Sequence, residues 1–84
     1  MRMMTVRVLF FSVLKEKTGI EAVPVELPEN STGNDLLDAL VARFPVVQSF
    51  RGFIRLAINQ QYAQAETLLH DGDEVALITP VSGG

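Results

Sequence analysis

The chain contains no cysteine, and its seven Lys and Arg residues are scattered along the sequence without forming a run. The lack of cysteine excludes disulfide bonds, thiolate metal ligands and a nucleophilic thiol. The scattered basic residues provide no stripe of the kind that binds nucleic acid, so we expect no nucleic-acid partner. His70 has no second histidine to share a metal, and residues 71–74 read as a tight turn, not a calcium loop. We therefore predict no metal site.

The sequence also lacks a long hydrophobic run. The longest, VLFF at 8–11, is the length of a strand and far below the roughly 18 residues of a membrane helix. The N-terminus shows neither a long apolar stretch nor a small-residue cleavage site, so we expect no signal peptide and no membrane partner. Nearly half of the 84 residues are hydrophobic, enough for one compact core. These features predict a single cytoplasmic domain.

Alternation of apolar and polar residues predicts four strands, over 5–11, 22–28, 54–59 and 74–79, and a further short strand near Tyr62. Pro24 cannot donate a hydrogen bond to a sheet, so the second strand should lie at an edge. The first two strands are close enough to pair as a hairpin. Seven side chains should point into the core from the first, third and last strands: Val6, Val8, Phe10, Ile54, Leu56, Val75 and Leu77.

One segment has the pattern of an amphipathic helix. Thr32 is a good N-cap and Asp35 completes a weakened capping box, while Pro45 ends the segment. A shorter helical turn should run from Ser12 to Gly19, and we predict a loop over 46–53. The apolar stripe of the main helix consists of Leu36, Leu37, Leu40, Val41 and Phe44. The order β-β-α-β-(β)-β indicates an α+β domain with two layers.

The chain closes on the sequence DGDEVALITPVSGG, residues 71–84. We interpret it as a turn, a strand and an extended arm that begins at Pro80 and reaches at most roughly 17 Å. A terminal carboxylate is an anion and a poor electrophile at neutral pH, so it would need activation. Gly83 and Gly84 have no Cβ and leave clearance for a narrow channel, and Pro80 stiffens the base. The alternative is an end that has no function, since most chain termini are loosely held.

These residues resemble a known family. VRVLFFSVLKEKTG, STGNDLLDALVARFP, LAIN and above all DGDEVALITPVSGG are similar to the small-subunit family of molybdopterin synthase, which are ubiquitin-like β-grasp sulfur carriers. The resemblance covers essentially the whole chain. It departs at Thr79, where the family has the first proline of a pair. It implies a β-grasp domain over 1–79, with a small mixed sheet covered on one face by one main helix, and a flexible tail over 80–84.

The resemblance also implies a function. An activating enzyme similar to ubiquitin E1 would use ATP to adenylate Gly84, and a sulfurtransferase would supply the sulfur of a thiocarboxylate. The tail, Pro80, Val81, Ser82, Gly83 and Gly84, would enter the large subunit of a heterotetramer and donate sulfur to a cyclic pyranopterin monophosphate. The chain itself would bind no cofactor. Two alternatives stay open: a ubiquitin-like modifier joined to lysine, and a sulfur carrier for thiamine or tRNA thiolation.

The sheet face opposite the helix is the second candidate site. Leu9, Phe11, Ala76 and Ile78 should form an apolar strip there, which Tyr62 would extend. In a β-grasp fold the first and last strands are neighbours, so the strip would be continuous. Contiguous exposed apolar surface usually marks an interaction site. The alternative is that the loop at 46–53 or the turn at 12–18 folds over part of it.

Overall fold

The computed structural model describes residues 2–80, in which the chain forms a five-stranded mixed sheet and three α-helices. The strands are β1 (Met3–Phe10), β2 (Ala22–Pro28), β3 (Arg55–Ile58), β4 (Gln61–Ala63) and β5 (Glu74–Ile78). The α-helices are α1 (Ser12–Thr18), α2 (Gly33–Arg43) and α3 (Val46–Phe50), and a 3-10 turn covers Arg51–Phe53. Strand and helix boundaries lie within two residues of those predicted from the sequence. Met1 and the tail residues 81–84 lie outside the described residues.

The strand order in the sheet is β2-β1-β5-β3-β4. β1 and β2 pair antiparallel, as the hairpin prediction requires, and β2 is an edge strand, as Pro24 predicts. The central pair, β1 and β5, is parallel, with Phe10 beside Leu77. β5 continues antiparallel to β3, and β3 to β4. The first and last strands of the domain are therefore neighbours, which is the arrangement of a β-grasp fold.

One hydrophobic core lies between the sheet and the helices. The alternate side chains of β1 and β5 that point toward the helices are fully buried: Val6, Val8, Phe10, Val75 and Leu77. They meet Leu36, Leu37 and Leu40 of α2, the three most deeply buried residues of the predicted stripe. Phe10 and Phe44 pack edge to face with ring centroids 5.5 Å apart, a geometry favoured by the quadrupoles of the two rings.

The N-terminus of α2 is held by two sets of hydrogen bonds. The capping box is complete: the Thr32 amide donates to the Asp35 carboxylate at 2.8 Å, and the Asp35 amide donates to the Thr32 hydroxyl at 3.4 Å. The segment after β4 supplies two further acceptors, because the Asn34 amide donates to Ala65 O at 2.8 Å and the Gly33 amide to Thr67 O at 3.2 Å. Amides that a helix start usually leaves unpaired are thus satisfied within the fold.

The predicted loop over 46–53 is wrong. Residues 46–50 form α3 and residues 51–53 form a 3-10 turn. Pro45 does end α2, but it also occupies the N-cap of α3, where a missing amide hydrogen costs nothing. Val47 is fully buried and Phe50 packs against the core, so burial of these two side chains stabilises a helix of only five residues.

Candidate partner-binding face

A row of uncharged side chains crosses the sheet on the face away from α2. The strand register places Ala22, Leu9, Ala76, Ala57 and Tyr62 side by side, one from each of the five strands. Ala57 is buried among its larger neighbours, and Leu9 and Ala76 are half-buried. The Tyr62 side chain is 72% exposed, so its ring is available for contact at the β4 edge. Leu9, Ala76 and Tyr62 therefore share one surface, as expected from their alternation.

Two further apolar side chains extend this row toward one end of the sheet. Ile78, the last residue of β5, is half-buried, and Phe11, the residue after β1, is 45% exposed. Because β1 and β5 are parallel, their C-terminal ends lie at the same edge of the domain. Phe11 caps α1 rather than ending β1, but it keeps its place at that edge. We call the surface made of Leu9, Phe11, Ala57, Tyr62, Ala76 and Ile78 the outer face.

The outer face is not covered by the helical segments that might have folded over it. Leu14 of α1 and Val47 of α3 are fully buried in the core with Val6 and Val8, and α3 packs against α1 and α2. Both segments therefore lie on the other side of the sheet. Of the two interpretations left open by the sequence, an exposed strip is the one found among residues 2–80.

Charge is confined to the margins of this surface. At the end where β5 begins, the Arg7 guanidinium lies 3.9 Å from the Glu74 carboxylate, both partly exposed, an ion pair that contributes little to stability. At the opposite end, where β5 finishes, Arg55 is exposed beside Ile78, its partner in the register. The centre of the outer face has no charged side chain among the described residues.

The tail begins at the Phe11 and Ile78 end of the outer face. β5 ends at Ile78, Thr79 is buried, and Pro80 is exposed as the last described residue. Pro80 also lines a groove of about 730 Å³ together with Phe53, Arg55 and Tyr62. The predicted tail residues Val81, Ser82, Gly83 and Gly84 lie outside the described residues, so the structure fixes only where the tail starts.

Three residues near this surface were missed by sequence reasoning. Alternation in β3 puts Arg55 and Ala57 opposite the inward Leu56, so both could have been assigned to the outer face. Phe53, 69% exposed, could not, because it was taken as part of a loop. Among residues 2–80 no group of three His, Asp or Glu side chains could hold a metal ion. No helix in the same range is long and apolar enough to cross a membrane.

The strand order, the parallel central pair and the helices on one face define the α+β, ubiquitin-like β-grasp class. Comparison with known proteins then gives the family. The model of the ThiS family matches residues 8–84, and the chain belongs to that family.

Relatives and solved structures agree over nearly the whole chain. A protein of Drosophila erecta named molybdopterin synthase sulfur carrier subunit is 42% identical over 82 residues, covering 94% of this chain and 90% of that protein. The small archaeal modifier protein 1 of H. volcanii superposes with a TM-score of 0.84 at 30% identity, over 93% of this chain and 99% of the other. A complex of subunits 1 and 2 of the molybdopterin-converting factor of Helicobacter pylori matches with a TM-score of 0.68 at 27% identity, covering 96% and 100%.

Proposed function

We propose that this chain is the sulfur carrier subunit of a molybdopterin synthase and acts in molybdenum cofactor biosynthesis. One observation carries the proposal: the exposed outer face and the start of the C-terminal tail share one end of the sheet. A partner bound to the outer face receives the tail beside its own binding surface. The name of the Drosophila relative and the two-subunit complex from Helicobacter support the same assignment.

The reacting group in this proposal is the carboxylate of Gly84. It attacks the α-phosphate of ATP in an E1-like enzyme, which releases pyrophosphate and leaves an acyl adenylate. A sulfur nucleophile from a sulfurtransferase displaces AMP, and the carbonyl ends as a thiocarboxylate. The thiocarboxylate sulfur then bonds to the cyclic pyranopterin precursor in the large subunit, and water returns Gly84 to a carboxylate. The chain needs no bound cofactor for these steps, which we place in the cytoplasm.

The described part of the chain contributes binding and position. The outer face joins the partner, and Pro80 holds the base of the arm with a fixed φ, which limits the entropy lost when the arm enters a channel. Large apolar side chains contribute about 1.5–3 kcal/mol each when fully buried, before association costs. Phe11, Ile78 and Tyr62 are the large side chains of the outer face.

Charged substitutions on the outer face should separate binding from folding. We expect Phe11→Asp and Ile78→Asp each to weaken binding of the large subunit by at least about tenfold, since each places a carboxylate in the apolar interface. Phe11→Asp should keep the fold, because Phe11 is the N-cap of α1 and aspartate suits that position. Titration calorimetry gives the affinity and circular dichroism the fold.

Leu68→Asp is the matched control for these variants. Leu68 is 49% exposed, close to the 45% of Phe11, but it bridges to Thr32 beside α2, away from the outer face. It should bind the large subunit as tightly as the unmodified chain. Equal loss of binding in Leu68→Asp and Phe11→Asp would show that the outer face is not the interface.

The proposal as a whole is tested by intact mass. Incubation with the activating enzyme, ATP and a sulfurtransferase should raise the mass of the chain by the difference between one sulfur and one oxygen, and the loaded chain should convert the pterin precursor. The similarity to an archaeal modifier protein favours one competitor, conjugation through Gly84 to lysine. Mass adducts on other proteins without conversion of the precursor would favour that competitor.

A further inference from the structure

The charged residues around the outer face differ in whether they have a partner within the fold. Arg7 and Glu74 pair with each other at the end where β5 begins. At the end where the tail begins, Arg55 is exposed, and its side chain makes no hydrogen bond or ion pair with any residue in 2–80. The chain carries ten carboxylates against seven basic residues, so an unpaired cation at this position is against the overall balance.

The nearby Arg51 shows what a structural arginine looks like in this region. Its guanidinium lies 2.7 Å from the Asp38 carboxylate and also donates to Asn34 O at 3.4 Å, and its side chain is only 29% exposed. Arg51 thus joins the 3-10 turn to α2. Arg55 makes no such connection, although both arginines line the groove beside Pro80.

The surroundings of Arg55 favour a strong interaction with a protein partner. Its register partner is Ile78, and the groove it lines also contains Phe53 and Tyr62, which are 69% and 72% exposed. A surface that buries these apolar side chains would also remove water from the guanidinium. An ion pair that is shielded from water is stronger than one on an open surface, and tyrosine and arginine are the residue types most enriched at energetic centres of interfaces.

We propose that Arg55 is a docking cation that pairs with a carboxylate of the protein that receives the tail. This inference rests on the proposed function, because it takes the large subunit as that protein. The outer face supplies apolar contact, and Arg55, next to the start of the tail, fixes how the partner is oriented relative to the arm. The required partner chemistry is an Asp or Glu at the margin of an apolar surface.

The test measures association of the large subunit with Arg55→Glu and Arg55→Gln by stopped-flow fluorescence, at ionic strengths from about 0.05 to 0.5 M, where charge screening changes most. A charge at an interface margin acts mainly on the association rate. We expect Arg55→Glu to lower that rate about tenfold or more at low salt, Arg55→Gln to lower it less, and both to flatten its salt dependence.

Lys17→Glu is the matched control, because it makes the same change in net charge on exposed α1, away from the outer face. It should alter the association rate less than about twofold, since charges beyond a Debye length of about 10 Å are screened. An Arg55→Glu rate and salt dependence equal to those of the unmodified chain would overturn the inference. An equal loss in Lys17→Glu would also overturn it, because net charge would then be the cause.

Failure of this inference and failure of the proposed function give different results. If the unmodified chain binds the large subunit and delivers sulfur while Arg55→Glu does so equally fast, only the role of Arg55 is wrong. If the unmodified chain neither binds the large subunit nor gains sulfur, the proposed function is wrong. A charge swap completes the test: replacing the partner carboxylate by lysine should restore the association rate of Arg55→Glu and lower that of the unmodified chain.

Discussion

Deleting Gly84 is expected to abolish sulfur transfer while leaving the domain folded. The deletion moves the terminal carboxylate back by one residue, about 3.3–3.6 Å, and replaces the reacting glycine carbonyl by that of Gly83. A displacement of about 1 Å of a reacting group can already cost about 100-fold in rate, so we expect a loss of at least that size. The fold should be unaffected because β5 ends six residues earlier, at Ile78.

Two variants control for tail length and for binding. Adding one residue after Gly84 should be as damaging as deleting it, because the carboxylate then lies too far along the channel. Both variants should still bind the large subunit, because the outer face is unchanged. The rate of precursor conversion and the intact mass after activation are the measurements. Sulfur loading and conversion at the unmodified rate in either variant would mean that Gly84 is not the reacting residue.

Local features of the fold were predictable because they depend on neighbouring residues. The capping box of Thr32 and Asp35 needs only a four-residue pattern, and the β2 boundaries follow from alternation that ends at Pro28. The strand order was not predictable from alternation, because pairing of β1 with β5 joins segments more than sixty residues apart. That part of the prediction came from resemblance to a family.

Failure over 46–53 has a physical cause. A single helical turn presents too few apolar residues for a periodic pattern, and Pro45 marks both the end of one helix and the start of another. Formation of α3 depends on burial of Val47 in a core built by distant strands. The same omission hid Phe53 and, with it, the groove beside Pro80. The candidate site was therefore complete at its centre and incomplete at the tail end.

Gly33→Ala is expected to destabilise the domain, although alanine is normally the better helix former. A Cβ at this position would lie 2.5 Å from Leu56 Cδ1 and 2.9 Å from Ala65 O. Leu56 is buried in the core, and Ala65 O accepts the hydrogen bond of the Asn34 amide, so neither atom can move without loss. Overpacking of this kind costs about 1–3 kcal/mol, more than the roughly 1 kcal/mol that alanine gains over glycine within a helix.

Gly52→Ala is the control for this effect, because nothing lies within 4 Å of a Cβ built there and its φ is not in the left-handed region. It should be neutral, or stabilising by about 0.4–1 kcal/mol through the reduced entropy of the unfolded chain. Thermal unfolding followed by circular dichroism compares the two. For a domain of this size 1 kcal/mol shifts Tm by about 4–8 °C, so Gly33→Ala should melt several degrees below the unmodified chain.

Below its Tm the Gly33→Ala domain should still bind the large subunit, because Leu56 and Ala65 O are not part of the outer face and the clash affects the helix side of β3. The loss would then be one of stability and not of recognition. A Gly33→Ala domain that melts at or above the temperature of Gly52→Ala would show that the segment after β4 yields freely to α2. The two hydrogen bonds from Gly33 and Asn34 would then contribute little to holding the helix on the sheet.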